Sequence, residues 1–341
     1  MSVEPLHLGR ERIVADVARA LVAHGATPAN AAPVAEATAA AEFAGKPSHG
    51  LLYVPIYCEH LAVGKVDGRA EPRVDQPRPA LLTVDAGAGF AHPAIAAGFE
   101  RLVPLARTMG VAAMAVRNSY NCGLLGFHTD RLAEAGLLGL GFTNAPASIA
   151  PAGGRTPALG TNPVAIAVPG PDGQIALSLD QSASVVAKSE VMKAAREGRP
   201  IPEGWALDPD GRSTTDAAIG LKGSMAPLGG SKGVGLALLV ELLAAAATGA
   251  TLGVDASPFS GPAGGPPRTG QFFIAIDPGA SSGGAFADRV ARLCDVLTAQ
   301  PGTRLPGSRR RASREAAEAR GTVAVDAALH ARVLELGRAA G

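Results

Sequence analysis

Ser48-His49-Gly50 places an imidazole on a loop, beside a glycine that lets the chain pass close to a cleft. Such a histidine can titrate near neutral pH and serve as a general acid or base, or be structural. Gly229-Gly230-Ser231-Lys232-Gly233 opens an apolar helical run. A glycine-rich turn there exposes backbone N–H groups to an anion and Lys232 adds a charge, although a plain N-cap at Ser231 fits equally. It is not a Walker A loop, which needs GxxxxGK followed by Ser or Thr. Three polar segments sit at strand ends, where α/β folds carry ligand-facing loops: Asn118 to Gly123, Gly160-Thr161-Asn162-Pro163, and Asp180-Gln181-Ser182-Ala183-Ser184. Each is also ordinary turn chemistry.

Other chemistries find little support. The histidines His7, His24, His60, His92, His128 and His330 show no paired spacing with Cys or carboxylates, so no metal site is expected. A serine hydrolase is poorly supported. The nearest dinucleotide fingerprint is Gly87-Ala88-Gly89-Phe90-Ala91-His92, with His92 where the third glycine belongs. Rossmann binding needs that glycine for close helix–strand packing, so a strand–turn–helix corner is preferred.

These loops must be positioned by the elements around them. Apolar spacing predicts helices over Arg10–Ala23 and Pro28–Phe43 and a third over Leu51–Val63, forming a helical unit that ends in a stretch of Gly, Pro and charge up to Pro79. From Ala80 strands and helices alternate: strands over Ala80–Val84, Val111–Val116, Leu137–Thr143, Val164–Val168, Ile175–Leu179 and Gln271–Ile276, with helices over Pro93–Met109, Gly126–Ala135 and Ala285–Leu297. The fold class is therefore α/β. A basic segment, Arg304 to Arg314, precedes a last helix carrying Leu329, Val333 and Leu336.

Composition bounds the rest. The 341 residues carry 31 Lys+Arg against 30 Asp+Glu, with 18% charged and 47% hydrophobic. That excludes intrinsic disorder and argues against nucleic acid as a partner. The apolar stretch Val234 to Thr248 is interrupted by Glu241 and is shorter than the roughly 20 residues of a membrane span, so it reads as a buried helix and no membrane partner is expected. Three scattered cysteines, Cys58, Cys122 and Cys294, and the absence of a visible secretory signal point to the cytoplasm.

Taken in order, Ser48-His49-Gly50, the Asn118–Gly123 loop, Ile149 to Gly154, Gly160 to Pro163, Ile201 to Ala206, Gly229 to Gly233 and Leu305-Pro306-Gly307 span nearly the whole chain. In this the sequence resembles the malate/L-lactate dehydrogenase family, which lies outside the Rossmann dehydrogenases and includes sulfolactate, ureidoglycolate and diketogulonate oxidoreductases and piperideine-2-carboxylate reductases. The resemblance implies NAD or NADP, a homodimer, and a non-Rossmann NAD(P)-binding α/β domain over residues 79–299. A helical domain over 1–78, completed by 300–341, is implied with it. His49 maps to the proton donor, held by Ser48 and by an acid that here is Glu190. Cofactor contacts map to Asn121, Cys122, Gly123, Leu124 and Leu125, to Thr161, to Asp180, Gln181 and Ser182, to Ser231 and Lys232, and to Gly307, Ser308 and Arg309.

Three departures stand out. Many members place a substrate-gripping arginine where Tyr53 stands, and a phenol offers no charged bidentate fork. Several carry histidine at Asn121, which leaves the proton work to His49 alone, and the lysine turn often reads His-Lys where Ser231-Lys232 stands. Arg304, Arg309, Arg310, Arg311 and Arg314 are either a 2′-phosphate site, favouring NADP, or a solvated basic face. The expected activity is hydride transfer between nicotinamide and C2 of a small 2-oxo/2-hydroxy acid. A cyclic ketimine reductase is the alternative, and a cofactor-binding homologue without activity is the rival of another class.

Overall fold

The computed structural model describes residues 5–338. Thr27 starts the helix Pro28–Phe43 by accepting the Asn30 N–H on its hydroxyl, with Pro28 in the first turn where no N–H is needed. Its neighbour Arg10–Ala23 buries Ile13, Val17, Ala20 and Leu21, the stripe expected of an amphipathic helix. The third helix is shorter than the spacing predicts: two 3₁₀ turns, Pro47–His49 and Leu51–Tyr53, precede Val54–Ala62. Gly50, with φ −99° and ψ −136°, separates the two turns, and the buried Glu42 Oε1 accepts the Leu51 N–H at 2.7 Å, one of the entry N–H groups that a helix leaves unpaired.

Both ends of the chain join these helices. Leu6–Leu8 pairs antiparallel with Val323–Val325, and the buried Asp16 meets His330 Nε2 at 2.9 Å. Val333 and Leu336, from the helix Ala327–Leu336, share a core with Ile13, Val17 and Leu21.

The remainder centres on a seven-stranded sheet. Its spatial order is Arg73–Arg78, Leu81–Asp85, Val111–Ser119, Thr269–Ile276, Leu138–Thr143, Val164–Pro169, Ile175–Gln181. Only Leu81–Asp85 and Val111–Ser119 run parallel, joined by the helix Ala91–Met109; all other pairings are antiparallel. A doubly wound Rossmann sheet is parallel, so the α/β fold here is of another kind. The helix lies close on the sheet at Gly98, where a Cβ would overlap the Met114 sulfur. Phe99 meets Phe273 edge-on at 5.1 Å, an arrangement worth about 0.5–1.5 kcal/mol beyond area burial.

Two expectations are corrected. Arg73–Arg78, within the Gly-, Pro- and charge-rich stretch read as the end of the helical unit, is an edge strand of this sheet. The run Val234 to Thr248 is not wholly buried: helix Ser231–Glu241 continues into a π-turn, Leu242–Ala246, that buries Ala237, Val240 and Ala244 but exposes Leu238, Leu239 and Leu242. Among the described residues no helix is long and apolar enough to cross a membrane.

Candidate active site

His49 ends the 3₁₀ turn Pro47–His49, its Nδ1 lying 3.1 Å from Ser48 Oγ. The following Gly50 is pressed against Glu42, where a Cβ would overlap the carboxylate, so the turn is anchored from beneath. The half-buried ring has a pKa below the usual 6.5 because burial disfavours the imidazolium. The Asp180 carboxylate pulls it back up and Lys46 pushes it down.

Asp180 lies near the end of strand Ile175–Gln181, where its Oδ2 accepts the Gly126 N–H at 2.8 Å and faces Arg310 Nη1 at 3.5 Å. Arg310 also pairs with Asp130 at 3.1 Å and hydrogen-bonds Ser178. A side chain at Gly126 would strike both Arg310 and Asp180. Glu190 is not the partner of the ring. It is exposed in the first turn of helix Lys188–Arg196 and forms no hydrogen bond with His49. The Asp180 carboxylate, which motif order assigns to the cofactor, acts on the imidazole through its charge alone and forms no hydrogen bond with it.

The loop after Val111–Ser119 reaches the histidine segment through Tyr53. Asn121 Nδ2 donates to Tyr53 Oη at 3.3 Å, and Asn121 Oδ1 accepts the Gly123 N–H at 2.6 Å. Gly123 has φ 65°, and Leu124 then leads into the helix Leu125–Glu134. Cys122 is buried, with its thiol pKa pushed up to about 12 by burial, so it is an unreactive wall residue. Its carbonyl accepts from His128 Nε2 at 2.9 Å.

A backbone ladder joins the other turns. Ala183 N–H donates to the Thr161 carbonyl at 2.7 Å, Leu228 N–H to the Ala183 carbonyl at 2.8 Å, and Val185 N–H to the Ala226 carbonyl at 2.9 Å. Thr161, the Asp180–Ser182 segment and the glycine turn before Ser231 are thereby drawn together. Gly230, with φ 67°, caps the helix and no side chain does; Ser231 is its first residue rather than the cap. Ser231, Lys232 and Gln181 are exposed. Gly307, with φ 79°, begins helix Ser308–Arg320 against strand residue Ser178, whose carbonyl leaves no room for a Cβ. Beside it a cavity of about 350 Å³ is lined by Leu124, Phe127, Gly307, Arg310 and Arg314. The glycine corner at Gly87–His92 is packed against Ala70 and Asp67, with no cradle for a phosphate.

A sequence profile of the malate/L-lactate dehydrogenase family matches residues 9–334. The chain belongs to that family. It is 44% identical over 295 residues to the (2R)-3-sulfolactate dehydrogenase (NADP(+)) of Chromohalobacter salexigens, covering 86% of this chain and 88% of that one. It is 40% identical over 304 residues to a Delta(1)-pyrroline-2-carboxylate/Delta(1)-piperideine-2-carboxylate reductase of Pseudomonas putida, covering 89% of each. The crystal structure of delta1-piperideine-2-carboxylate reductase from Pseudomonas syringae pvar. tomato superimposes with a TM-score of 0.91 at 37% identity, covering 97% of this chain and 99% of that one. The protein is thus an NAD(P)-dependent oxidoreductase of the malate/L-lactate dehydrogenase family.

The site fits a dinucleotide. The uncapped N-terminus of Ser231–Glu241 with exposed Lys232 suits a pyrophosphate, and the glycines at 123, 126 and 307 let the loops around the site pack against His92, against Asp180 and Arg310, and against Ser178. In this member of the malate/L-lactate dehydrogenase family, two departures noted in the sequence touch each other, since Tyr53 and Asn121 are hydrogen-bonded. The motifs give no sign of Glu42, Asp130 or Arg310 as supports; a buried charge seven residues before His49 is the signal that could have found Glu42.

Proposed function

We propose that the protein reduces C2 of a small 2-oxo acid with NADPH, and in reverse oxidises the 2-hydroxy acid, with His49 as the proton donor and acceptor. The observation that carries this is the imidazole held by Ser48 and under the field of Asp180, on a segment that Tyr53 ties to Asn121, with the Asp180 carboxylate itself held by Gly126 and Arg310. Bound NADPH supplies the hydride to C2. His49 passes its proton to the carbonyl oxygen as charge develops there, a contribution of about 10²–10⁴-fold in rate. Ser48 orients the ring, and Asp180 favours its protonated form. Tyr53 and Asn121 wall the substrate side with neutral groups.

Asn121 to Leu125, Thr161, Asp180 to Ser182, Ser231, Lys232 and the Gly307–Arg309 turn are assigned to the cofactor. Arg310, Arg311 and Arg314 are engaged with Asp130, with the Ile175 carbonyl and with Glu134, whereas exposed Arg304 and Arg309 form no ion pair among the described residues. Of these two, Arg309 stands in the first turn of helix Ser308–Arg320, beside Gly307, and is assigned to the 2′-phosphate, in keeping with the NADP(+)-named relative. A cyclic imino acid is the second reading, favoured by the reductase relatives and by the uncharged Tyr53 wall. There the same proton goes to nitrogen.

We divide the chain into a helical unit from both termini and a cofactor unit between, place it in the cytoplasm, and read it as a homodimer. The dimer reading rests on exposed Leu238, Leu239 and Leu242, beside Leu252 and Val254. His49→Ala tests the function, with turnover followed by NADPH oxidation against pyruvate, oxaloacetate, sulfopyruvate and piperideine-2-carboxylate. Turnover on the best of these should fall by about 10²-fold or more while NADPH binding stays within about threefold of wild type. Near-normal turnover removes His49 from the mechanism.

A further inference from the structure

Lys65 is fully buried, and its ammonium donates to three backbone carbonyls, those of Pro258 at 2.7 Å, Gly261 at 3.2 Å and Ala263 at 2.7 Å. Three donors thus meet three acceptors. A buried ammonium is costly unless its hydrogens are used, so this loop is the solvation shell of Lys65. His60, also fully buried, reinforces the grip. Its Nε2 lies 2.9 Å from the Gly261 carbonyl, which can only accept, so Nε2 carries the hydrogen. In the neutral ring Nδ1 then accepts from the Tyr120 hydroxyl.

The clamped segment cannot hold itself. Residues 256–267 are rich in Gly and Pro and form no strand or helix. Yet this segment touches the substrate side of the site. The Phe259 carbonyl accepts the Tyr53 hydroxyl at 3.4 Å, and the Phe259 ring meets Tyr120 at 5.7 Å. Tyr53, four residues beyond His49, in turn accepts from Asn121 at 3.3 Å. The phenolic hydrogen is spent on the Phe259 carbonyl, so the orientation of Tyr53 depends on where the loop sits.

We propose that Lys65 is a positioning residue for substrate binding: by clamping the loop of Pro258 to Ala263 it holds Tyr53 against Asn121 and fixes the pocket wall facing His49. The proposal rests on the reading of His49 as proton donor. It acts first on the substrate side, because the links from Lys65 reach the site at the Tyr53 hydroxyl and pass through none of Thr161, Lys232 or Gly307, while Asn121, which also belongs to the cofactor loop, is held independently by accepting the Gly123 N–H.

The test is a double-mutant cycle with Lys65→Met and Tyr53→Phe, measured on the panel substrate turned over best. Lys65→Met should raise KM about tenfold, the effect of losing a hydrogen-bonded charge, with kcat within about twofold and NADPH affinity unchanged. Tyr53→Phe should raise KM in the same direction. The double variant should match the worse single one, because both act along one path. Lys65→Met lowers Tm on either reading, since three buried carbonyls lose their donor; a purely structural Lys65 would leave KM within about twofold or give effects that multiply, and either result overturns the proposal. If Lys65→Met fails to fold, Lys65→Gln keeps a donor for one carbonyl and should give a smaller rise in KM that Tyr53→Phe again masks. His49→Ala in parallel separates the two failures: an active His49 variant sinks the functional reading, and an inactive one with unchanged KM in the Lys65 variant sinks only the clamp.

Discussion

At the scale of single residues, the Asp180 charge opposes the effect of burial on the imidazole, and that makes a pH prediction. Burial lowers the His49 pKa from 6.5 while Asp180 raises it. As donor in reduction the ring must carry its proton, so kcat/KM for reduction falls as pH rises through that pKa and the oxidation rate climbs. Asp180→Asn keeps an oxygen for the Gly126 N–H but removes the charge that favours imidazolium. The pKa then drops further, and the reductive limb should move to lower pH. A midpoint lower by about one pH unit costs about tenfold in protonated fraction at neutral pH. A kcat/KM profile that keeps its wild-type midpoint would remove Asp180 from this role. The sequence could show His49 on a loop with glycine beside it, and order the motifs. Which acid lies near the ring is a matter of three-dimensional placement: Glu190 and Asp180 are ten residues apart on consecutive elements, and only the sheet edge decides between them.

At the scale of elements, the helices Ala91–Met109 and Leu125–Glu134 carry a pair of buried histidines under the Asn121–Leu125 loop. The rings of His92 and His128 lie 5.4 Å apart, and each Nδ1 lacks a hydrogen-bond partner. Burial is the first cause that lowers both pKa values, that of His128 to about 4 and that of His92 well below its ordinary value, with neighbouring cationic groups adding to it. An imidazole buried neutral stabilises the fold fully above its unfolded pKa, near 6.5, and loses that contribution as pH falls toward the folded value. Stability should therefore decline between about pH 6.5 and pH 4, by about 3 kcal/mol from His128 alone. Urea unfolding of wild type and His128→Asn over that range checks it; equal slopes would show that the ring does not carry the acid sensitivity. Legibility at this scale follows amphipathicity and punctuation. Arg10–Ala23 and Pro28–Phe43 are readable because a clean stripe ends at Gly25 and a Thr-Pro start follows. Arg73–Arg78 is not, since an edge strand exposed on both faces has no alternation to read, and the two-residue strands Ala206–Leu207, Ser213–Thr214 and Ser224–Met225 are too short for any period.

At the scale of the whole molecule, the exposed leucines of Ser231–Glu241 and its π-turn ask for a cover. Leu238 and Leu242 are one turn apart, and Gly253 N–H bonds Glu241 Oε1 at 2.6 Å, which seats Leu252 and Val254 beside them. Leu242 is 53% exposed and Val254 59%, so solvent meets large apolar side chains on and beside a helix whose first turn carries Lys232, the lysine proposed for the cofactor. Clustered apolar surface of this kind marks an association site. A second copy of the chain is the economical occupant, because a two-fold contact buries the same patch on both sides. Sedimentation should then give twice the 34.1 kDa chain mass for wild type. Leu238→Asp combined with Leu242→Asp should give the single-chain mass with unchanged far-ultraviolet circular dichroism, because exposed substitutions cost the isolated fold only about 0.5 kcal/mol. If the wild-type chain sediments as one copy, the leucine face is not a homodimer contact. If the double variant stays dimeric, the dimer is built elsewhere and Lys232 lies away from its interface.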